Sequence, residues 1–249
     1  MKRLSISSMV LVAVLLPCAA EAVSASSFAL RLCREQPQTY MCVKIKIPRK
    51  EKIQYRGWAD MFPDAAMRRI VMRINRRNTL LWNGHTVALP RDFNPDLLAY
   101  SPFPRERVGI ELRFVVVDLN VLAWGAYEYV TPKRARLIKW GPANGGSKIC
   151  KESRKPKCKS PVGMKRILVL GKAGKRSDLY PLDCANKRKC GHPMPHYMRL
   201  VASGEGIHGD KHLVGWNASH GCIRILAEDA KWLNKEFAYI GMPVLVENY

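Results

Sequence analysis

Acidic side chains are scarce in this chain of 249 residues. Only 20 aspartates and glutamates accompany 42 lysines and arginines, so the formal net charge is +22. That balance is extreme for an intracellular enzyme and leaves four explanations: a nucleic acid, an anionic membrane surface, an acidic polymer such as a cell wall, or simply a solvated basic surface. With 47% hydrophobic residues, the chain can still bury one good core and a smaller second one.

No long apolar run follows residue 22, and no internal repeat or low-complexity tract is evident, so later membrane spans are not expected. Residues 1–22 are different in character. Lys2 and Arg3 precede the apolar run 9–16, and Ala20-Glu21-Ala22 offers a small-residue cleavage site. This order predicts a cleaved signal peptide and an exported protein. Cys18 raises lipidation as an alternative, although Pro17 is a poor residue before a lipidated cysteine.

Short Cys-x-x-Cys knuckles are also missing, which argues against a structural zinc site. His208 and His212 have the spacing of a zinc-binding helix, but no glutamate follows His208 and nearby glycines disfavour a helix there. We therefore expect no metal and no cofactor. Six of the seven cysteines beyond the signal peptide form pairs close in sequence. In an oxidising compartment these predict three disulfides: Cys33–Cys42, Cys150–Cys158 and Cys184–Cys190.

Cys222 is the cysteine left over, and it lies in the run Ser219-His220-Gly221-Cys222-Ile223-Arg224. A second His-Gly pair, His208-Gly209, lies upstream. A cysteine is a useful nucleophile only as a thiolate, so it needs a nearby base or a positive field. Glycines allow a substrate to approach backbone N–H groups, which can hold a developing oxyanion. An inert buried thiol is the alternative.

These two motifs resemble the active-site signature of the L,D-transpeptidase catalytic domain (YkuD type). The resemblance extends from about residue 108 to the end, and includes Ser160-Pro161-Val162-Gly163 and Tyr180-Pro181. It implies a peptidoglycan L,D-transpeptidase that works through a cysteine acyl-enzyme. The segment between Gly209 and Ser219 is shorter than in many members, which affects the loop contacts to substrate.

The resemblance also implies a role for each motif residue. Cys222 is the nucleophile, His208 is the general base, and the backbone carbonyl of Gly209 orients the imidazole. The N–H groups of His220, Gly221 and Cys222 would form the oxyanion hole. Ser219 and Arg224 are candidates for substrate binding. Ser219 could also hydrogen-bond a histidine or cap a turn, and Arg224 could bind a carboxylate of the substrate or pair with an acid of its own chain. We also expect a His208→Ala change to raise the pKa of the thiol.

The pattern predicts a mainly β fold: an antiparallel β-sandwich with one substantial helix after Cys222, preceded by a small α+β module. The helix is expected to begin just past Cys222, where its N-terminal field would lower the thiol pKa. We divide the chain into a signal peptide (1–22), an N-terminal module (23–105) and the catalytic domain (106–249). The end of that module faintly resembles the second half of a LysM glycan-binding repeat; a packing extension is the alternative.

The expected activity is an attack by Cys222 on the third-residue carbonyl of a tetrapeptide stem, with release of D-alanine. The acyl group would pass to a stem amine, to a lysine of a wall protein, or to water. The expected location is the periplasm or cell wall, peripheral to the membrane after signal cleavage, with no nucleic acid partner. Two alternatives remain: a non-catalytic wall-binding protein, and a papain-like cell-wall peptidase, although in the latter Cys precedes His.

Overall fold

A computed structural model describes residues 27–47, 55–131, 133–150 and 158–247. The predicted signal peptide and Cys18 lie outside these residues. The strands are β1 Tyr40–Lys44, β2 Tyr55–Arg56, β3 Leu81–Trp82, β4 Thr86–Pro90, β5 Glu106–Arg107, β6 Arg113–Asp118, β7 Ala123–Thr131, β8 Arg134–Asn144, β9 Gly163–Arg166, β10 Val169–Leu170, β11 Met198–Arg199, β12 Gly206–Asp210, β13 Ile223–Leu226 and β14 Pro243–Glu247.

The helices are α1 Ser27–Glu35, α2 Trp58–Met61, α3 Ala65–Ile74, α4 Lys187–Cys190 and α5 Ala227–Trp232. A 3-10 turn spans Leu97–Tyr100, and a π-helical turn, Leu233–Phe237, continues α5. Within the described ranges, no helix is long and apolar enough to cross a membrane.

The molecule is mainly β, as predicted, and is built on one curled ten-stranded sheet. The strand order is β10-β11-β12-β13-β8-β7-β6-β14-β9, and β5 pairs with β8. Most neighbours are antiparallel, but β12 runs parallel to β13, and β14 runs parallel to β6. The sequence did not predict these two parallel pairs, and the first of them carries the candidate site.

Local sequence signals account for several elements. The Asp64 carboxylate accepts a hydrogen bond from the Met67 backbone N–H at 2.7 Å and caps α3, as its position after Pro63 predicts. Ile70 and Ile74 on one side of α3 are buried. The continuous apolar run 114–117 forms the middle of β6 and is buried on both faces. A central strand covered on both sides needs such a run rather than alternation.

Residues 27–103 pack against the large sheet rather than standing apart from it. Phe28 of α1 and Ile70 of α3 share one hydrophobic cluster with Phe114, Tyr127 and Trp140 of the central strands. A smaller cluster lies beneath the short strands β2 and β3. The division at residue 105 stays a prediction about chain organisation, although the two parts share a core.

A buried ion pair joins these two parts of the chain. The Arg73 guanidinium of α3 donates to both carboxylate oxygens of Asp229 in α5, at 2.7 and 2.9 Å. Glu228 accepts a further bond from Arg73, at 3.0 Å. Asp229 is fully buried and Arg73 nearly so. The pair fixes α3 against α5 because neither charge can be left alone in the interior.

We predict that Asp229→Asn lowers the free energy of unfolding by about 3–5 kcal/mol, because it leaves the Arg73 charge buried with a weakened partner set. Urea unfolding of the variant measures this loss. The control is Asp96→Asn, which breaks the exposed Arg105–Asp96 pair and should cost less than about 1 kcal/mol. Equal losses in the two variants would contradict this account of the ion pair.

Candidate active site

The parallel pairing of β12 and β13 brings the two halves of the motif together. Ile207 lies opposite Ile223, and His208 lies opposite Arg224. Both isoleucines point into the core and are buried. Because side chains alternate along a strand, His208 and Arg224 share the other face, and Cys222, two residues before Arg224, continues that face. The topology therefore places the imidazole and the thiol on one face of the sheet.

The tautomer of His208 follows from a hydrogen bond to its own neighbour. The Nδ1 atom lies 2.8 Å from the backbone carbonyl oxygen of Gly209. A carbonyl can only accept, so Nδ1 carries the hydrogen and Nε2 keeps its lone pair. The bond to the Gly209 carbonyl thus fixes the orientation of the ring.

His208 is only 5% exposed, and this environment keeps it neutral. Burial lowers its pKa to about 4, and electrostatic interactions with Arg224 and His192 add to the decrease. The bond to Gly209 and the charge of Asp210 act in the opposite direction. Consequently the imidazole is unprotonated at neutral pH and can accept a proton.

Cys222 is a free, partly exposed thiol directly before β13. Burial raises its pKa, and the Glu205 carboxylate raises it further; a hydrogen bond from the Gly206 backbone N–H and the charge of Arg224 lower it. At neutral pH the resting pair is therefore a thiol beside a neutral imidazole.

Two expectations change as a result. The helix does not begin just past Cys222, because β13 intervenes and α5 begins only at Ala227. The prediction that the N-terminal field of this helix lowers the thiol pKa is therefore wrong. In addition, a neutral His208 places no positive charge near the sulfur. We therefore no longer expect His208→Ala to raise the thiol pKa.

Ser219 is 2% exposed and closes the turn that leads to Cys222. Its hydroxyl donates to the Cys222 carbonyl oxygen and accepts from the Gly221 N–H at 3.1 Å. Its backbone N–H donates to the Gly145 carbonyl at 3.0 Å. These bonds correspond to the turn-capping alternative for Ser219.

Gly221 adopts φ +122°, and a Cβ there would lie 3.0 Å from the Cγ atom of Glu205. The turn therefore requires glycine. Because the Gly221 N–H is directed at Ser219, it is less suited to holding an oxyanion than predicted. The His220 ring stacks on Tyr180, with centroids 4.1 Å apart. That contact holds the ring in place beside the turn.

Arg224 forms an ion pair with Asp210, through Nε and Oδ2 at 3.3 Å. Both side chains are about one-quarter exposed. The pair lies next to His208 and corresponds to the alternative that Arg224 binds an acid of its own chain. A carboxylate of a substrate would have to share the guanidinium with Asp210.

Sequence reasoning missed three contributors to the site. His192, which no sequence motif singled out, lies close enough to influence the pKa of His208. Glu205 lies against the turn formed by residues 219–222, which we call the reactive turn, and raises the pKa of the thiol. Tyr197 donates to the Gly204 carbonyl at 2.6 Å, and its pKa is raised by burial and by the nearby Cys222. Only the Tyr180-Pro181 landmark pointed to this part of the chain.

The three predicted disulfides are confirmed: Cys33–Cys42, Cys150–Cys158 and Cys184–Cys190, with Cα–Cα distances of 5.9, 5.3 and 5.9 Å. Cys222 takes no part in any of them. In the part of the chain that the structure describes, no three His, Cys, Asp or Glu side chains are grouped to hold a metal ion.

Residues 33–246 match the L,D-transpeptidase catalytic domain (YkuD) family model, so the chain belongs to this family. Membership implies an acyltransferase that acts on peptidoglycan peptide stems. Family members act on the cell wall, and the three disulfides accord with a location outside the cytoplasm. No curated protein matches the chain at a significant level.

Among solved structures, an L,D-transpeptidase of Xylanimonas cellulosilytica is 21% identical over 67% of this chain and 74% of its own, with a TM-score of 0.45. One from Stackebrandtia nassauensis is 22% identical over 61% and 62%, with a TM-score of 0.44. One from Mycobacterium smegmatis is 15% identical over 84% and 91%, with a TM-score of 0.41.

The neutral, buried His208 predicts how stability depends on pH. Its folded pKa of about 4 lies below the ordinary 6.5, so the unfolded chain binds the proton more readily. The contribution is complete above pH 6.5 and is lost as the pH falls towards 4, by roughly 3 kcal/mol.

In His208→Gln this loss should be absent, so its stability deficit relative to wild type should shrink between pH 7 and pH 4. Urea unfolding at each pH, with exposed His212→Gln as the control, measures the difference. A deficit that stays constant with pH would contradict the buried neutral imidazole.

Proposed function

We propose that the protein is a peptidoglycan L,D-transpeptidase in which Cys222 is the nucleophile and His208 the general base. The observation that carries this proposal is the bond from His208 Nδ1–H to the Gly209 carbonyl, which leaves Nε2 unprotonated on the face shared with the thiol. A thiol and a base on one face of the sheet, with the base oriented by a third group, is the arrangement that nucleophilic catalysis uses.

The first half-reaction starts from the neutral pair. As the sulfur attacks the third-residue carbonyl of a tetrapeptide stem, the thiol proton passes to His208 Nε2. The C–N bond to D-alanine then breaks, and His208 returns the proton to the leaving amine. A thioester on Cys222 and free D-alanine result. Transferring the proton during the attack avoids forming a free thiolate, which burial and Glu205 disfavour.

The negative oxygen of the tetrahedral intermediate needs donors. We assign this role to the backbone N–H groups of Cys222 and His220, with Gly221 shaping the turn. Ser219 holds that turn closed from within. Fixed backbone donors require no reorganisation when the charge develops, and this is why such sites are effective.

In the second half-reaction an acceptor attacks the thioester. A stem amine would give a 3→3 cross-link, a wall-protein lysine would give an attachment, and water would give a shortened stem. In each case His208 takes a proton from the attacking group, the C–S bond breaks, and the sulfur recovers a proton. The family and the disulfides support an exported enzyme in the periplasm or cell wall.

We predict that Cys222→Ala abolishes D-alanine release from a tetrapeptide stem. His208→Gln should lower kcat by roughly 10²-fold or more, because the attack loses its general base. Chromatographic assay of D-alanine measures both effects, and His212→Gln serves as the matched histidine control.

A carbapenem-type β-lactam should add one drug mass to the wild type, on the peptide that contains Cys222, and none to Cys222→Ala. Full turnover by Cys222→Ala, or a drug adduct on another residue, would contradict the mechanism.

A further inference from the structure

One of the three disulfides closes a loop close to the candidate active site. Cys184 and Cys190 enclose α4, which contains Lys187, Arg188 and Lys189 in succession. We call residues 184–190 the basic loop. Arg188 and Lys189 are exposed, whereas the Lys187 ammonium turns inward and donates to the Pro181 carbonyl oxygen. Two adjacent cations therefore point outward from a ring that a disulfide holds closed.

The basic loop is anchored to the site at both ends. Four residues before Cys184, Tyr180 stacks on His220 of the reactive turn. Two residues after Cys190, His192 lies near His208. The backbone N–H of His192 donates to the Tyr180 carbonyl oxygen at 2.9 Å. Since a chain spans at most about 3.6 Å per residue, the Cα atoms of Arg188 and Lys189 lie within roughly 14 Å of that of His192.

Hydrogen bonds also attach the chain just after the basic loop to residues 176 and 177. The Arg176 guanidinium donates to the Gly191 carbonyl at 2.7 Å, and the Ser177 N–H donates to the His192 carbonyl at 2.8 Å. A Cβ on Gly191 would lie 2.4 Å from the Ser177 carbonyl oxygen, so the two segments are in close backbone contact. These contacts fix the backbone next to the two cations, which reduces the backbone entropy lost when a ligand binds.

We propose that Arg188 and Lys189 form a docking site for carboxylates of the stem peptide whose third residue is attacked by Cys222. This inference rests on the proposed function and extends it to substrate recognition. A stem peptide carries carboxylates besides the carbonyl that reacts, and two exposed cations close to His192 complement them in charge. Arg224, already paired with Asp210, is less suited to that role.

The test compares wild type with the double variant Arg188→Gln/Lys189→Gln. The control is Lys44→Gln/Lys46→Gln, which removes the same charge from two exposed lysines in and just after β1. The substrates are a tetrapeptide stem with free side-chain carboxylates and the same peptide with those groups converted to carboxamides. Kinetics of D-alanine release gives KM and kcat for every combination.

For the free carboxylates, the double variant should raise KM about fivefold, as expected for losing two exposed charge pairs, with kcat nearly unchanged. For the carboxamide peptide it should change neither constant, and the control variant should match wild type with both. An equal rise with both peptides, or the same rise in the control variant, would overturn the proposal.

Failure of the proposed function gives a different result. In that case the wild type releases no D-alanine from either peptide. Calorimetry of both peptides binding to Cys222→Ala then tests the role of the basic loop separately. Tighter binding of the free-carboxylate peptide that disappears when Arg188→Gln/Lys189→Gln is added to Cys222→Ala supports the docking site. Equal binding of the two peptides to Cys222→Ala overturns it.

Discussion

The parallel contact between β12 and β13 is the constraint on which the candidate site depends. It sets His208 opposite Arg224 in register, and it brings a strand that ends at Asp210 beside one that begins after Cys222. A slip of one residue would exchange the faces, sending the imidazole into the core and an isoleucine to the thiol. The core packing of Ile207 and Ile223 prevents such a slip, so the apolar face fixes the geometry of the polar one.

Burial then determines the charge state of the pair. The same desolvation lowers the pKa of the imidazole and raises that of the thiol, so the two groups are neutral together. A neutral resting pair postpones charge separation until a carbonyl is present to accept the sulfur. The surrounding charges, Glu205 on one side and Arg224 on the other, make smaller and opposite contributions to the thiol.

Local sequence patterns predicted a large part of this structure. The three disulfides and the mainly β fold each depend on residues close together in the chain. The pairing of His208 with the Cys222 segment was implied by a resemblance, and its physical basis is the register of β12 and β13.

The parts that sequence reasoning missed are long-range. Arg73 meets Asp229 across 156 positions, and nothing in the local pattern of either helix identifies the other. The position of His192 near His208 depends on the hydrogen bonds that join Arg176 and Ser177 to Gly191 and His192. The start of α5 was misplaced because Ile223, Arg224 and Ile225 alternate as a strand before the helical spacing begins.

The central claim is that His208 is a neutral base whose Nδ1 carries the hydrogen. Nitrogen-15 NMR of histidine-labelled protein tests it directly, with His208→Gln assigning the resonance among the six histidines. We predict a protonated Nδ1 and an unprotonated Nε2 at pH 7, with the second proton binding only near pH 4. A hydrogen on Nε2 at pH 7, or titration near the ordinary value of 6.5, would contradict the account.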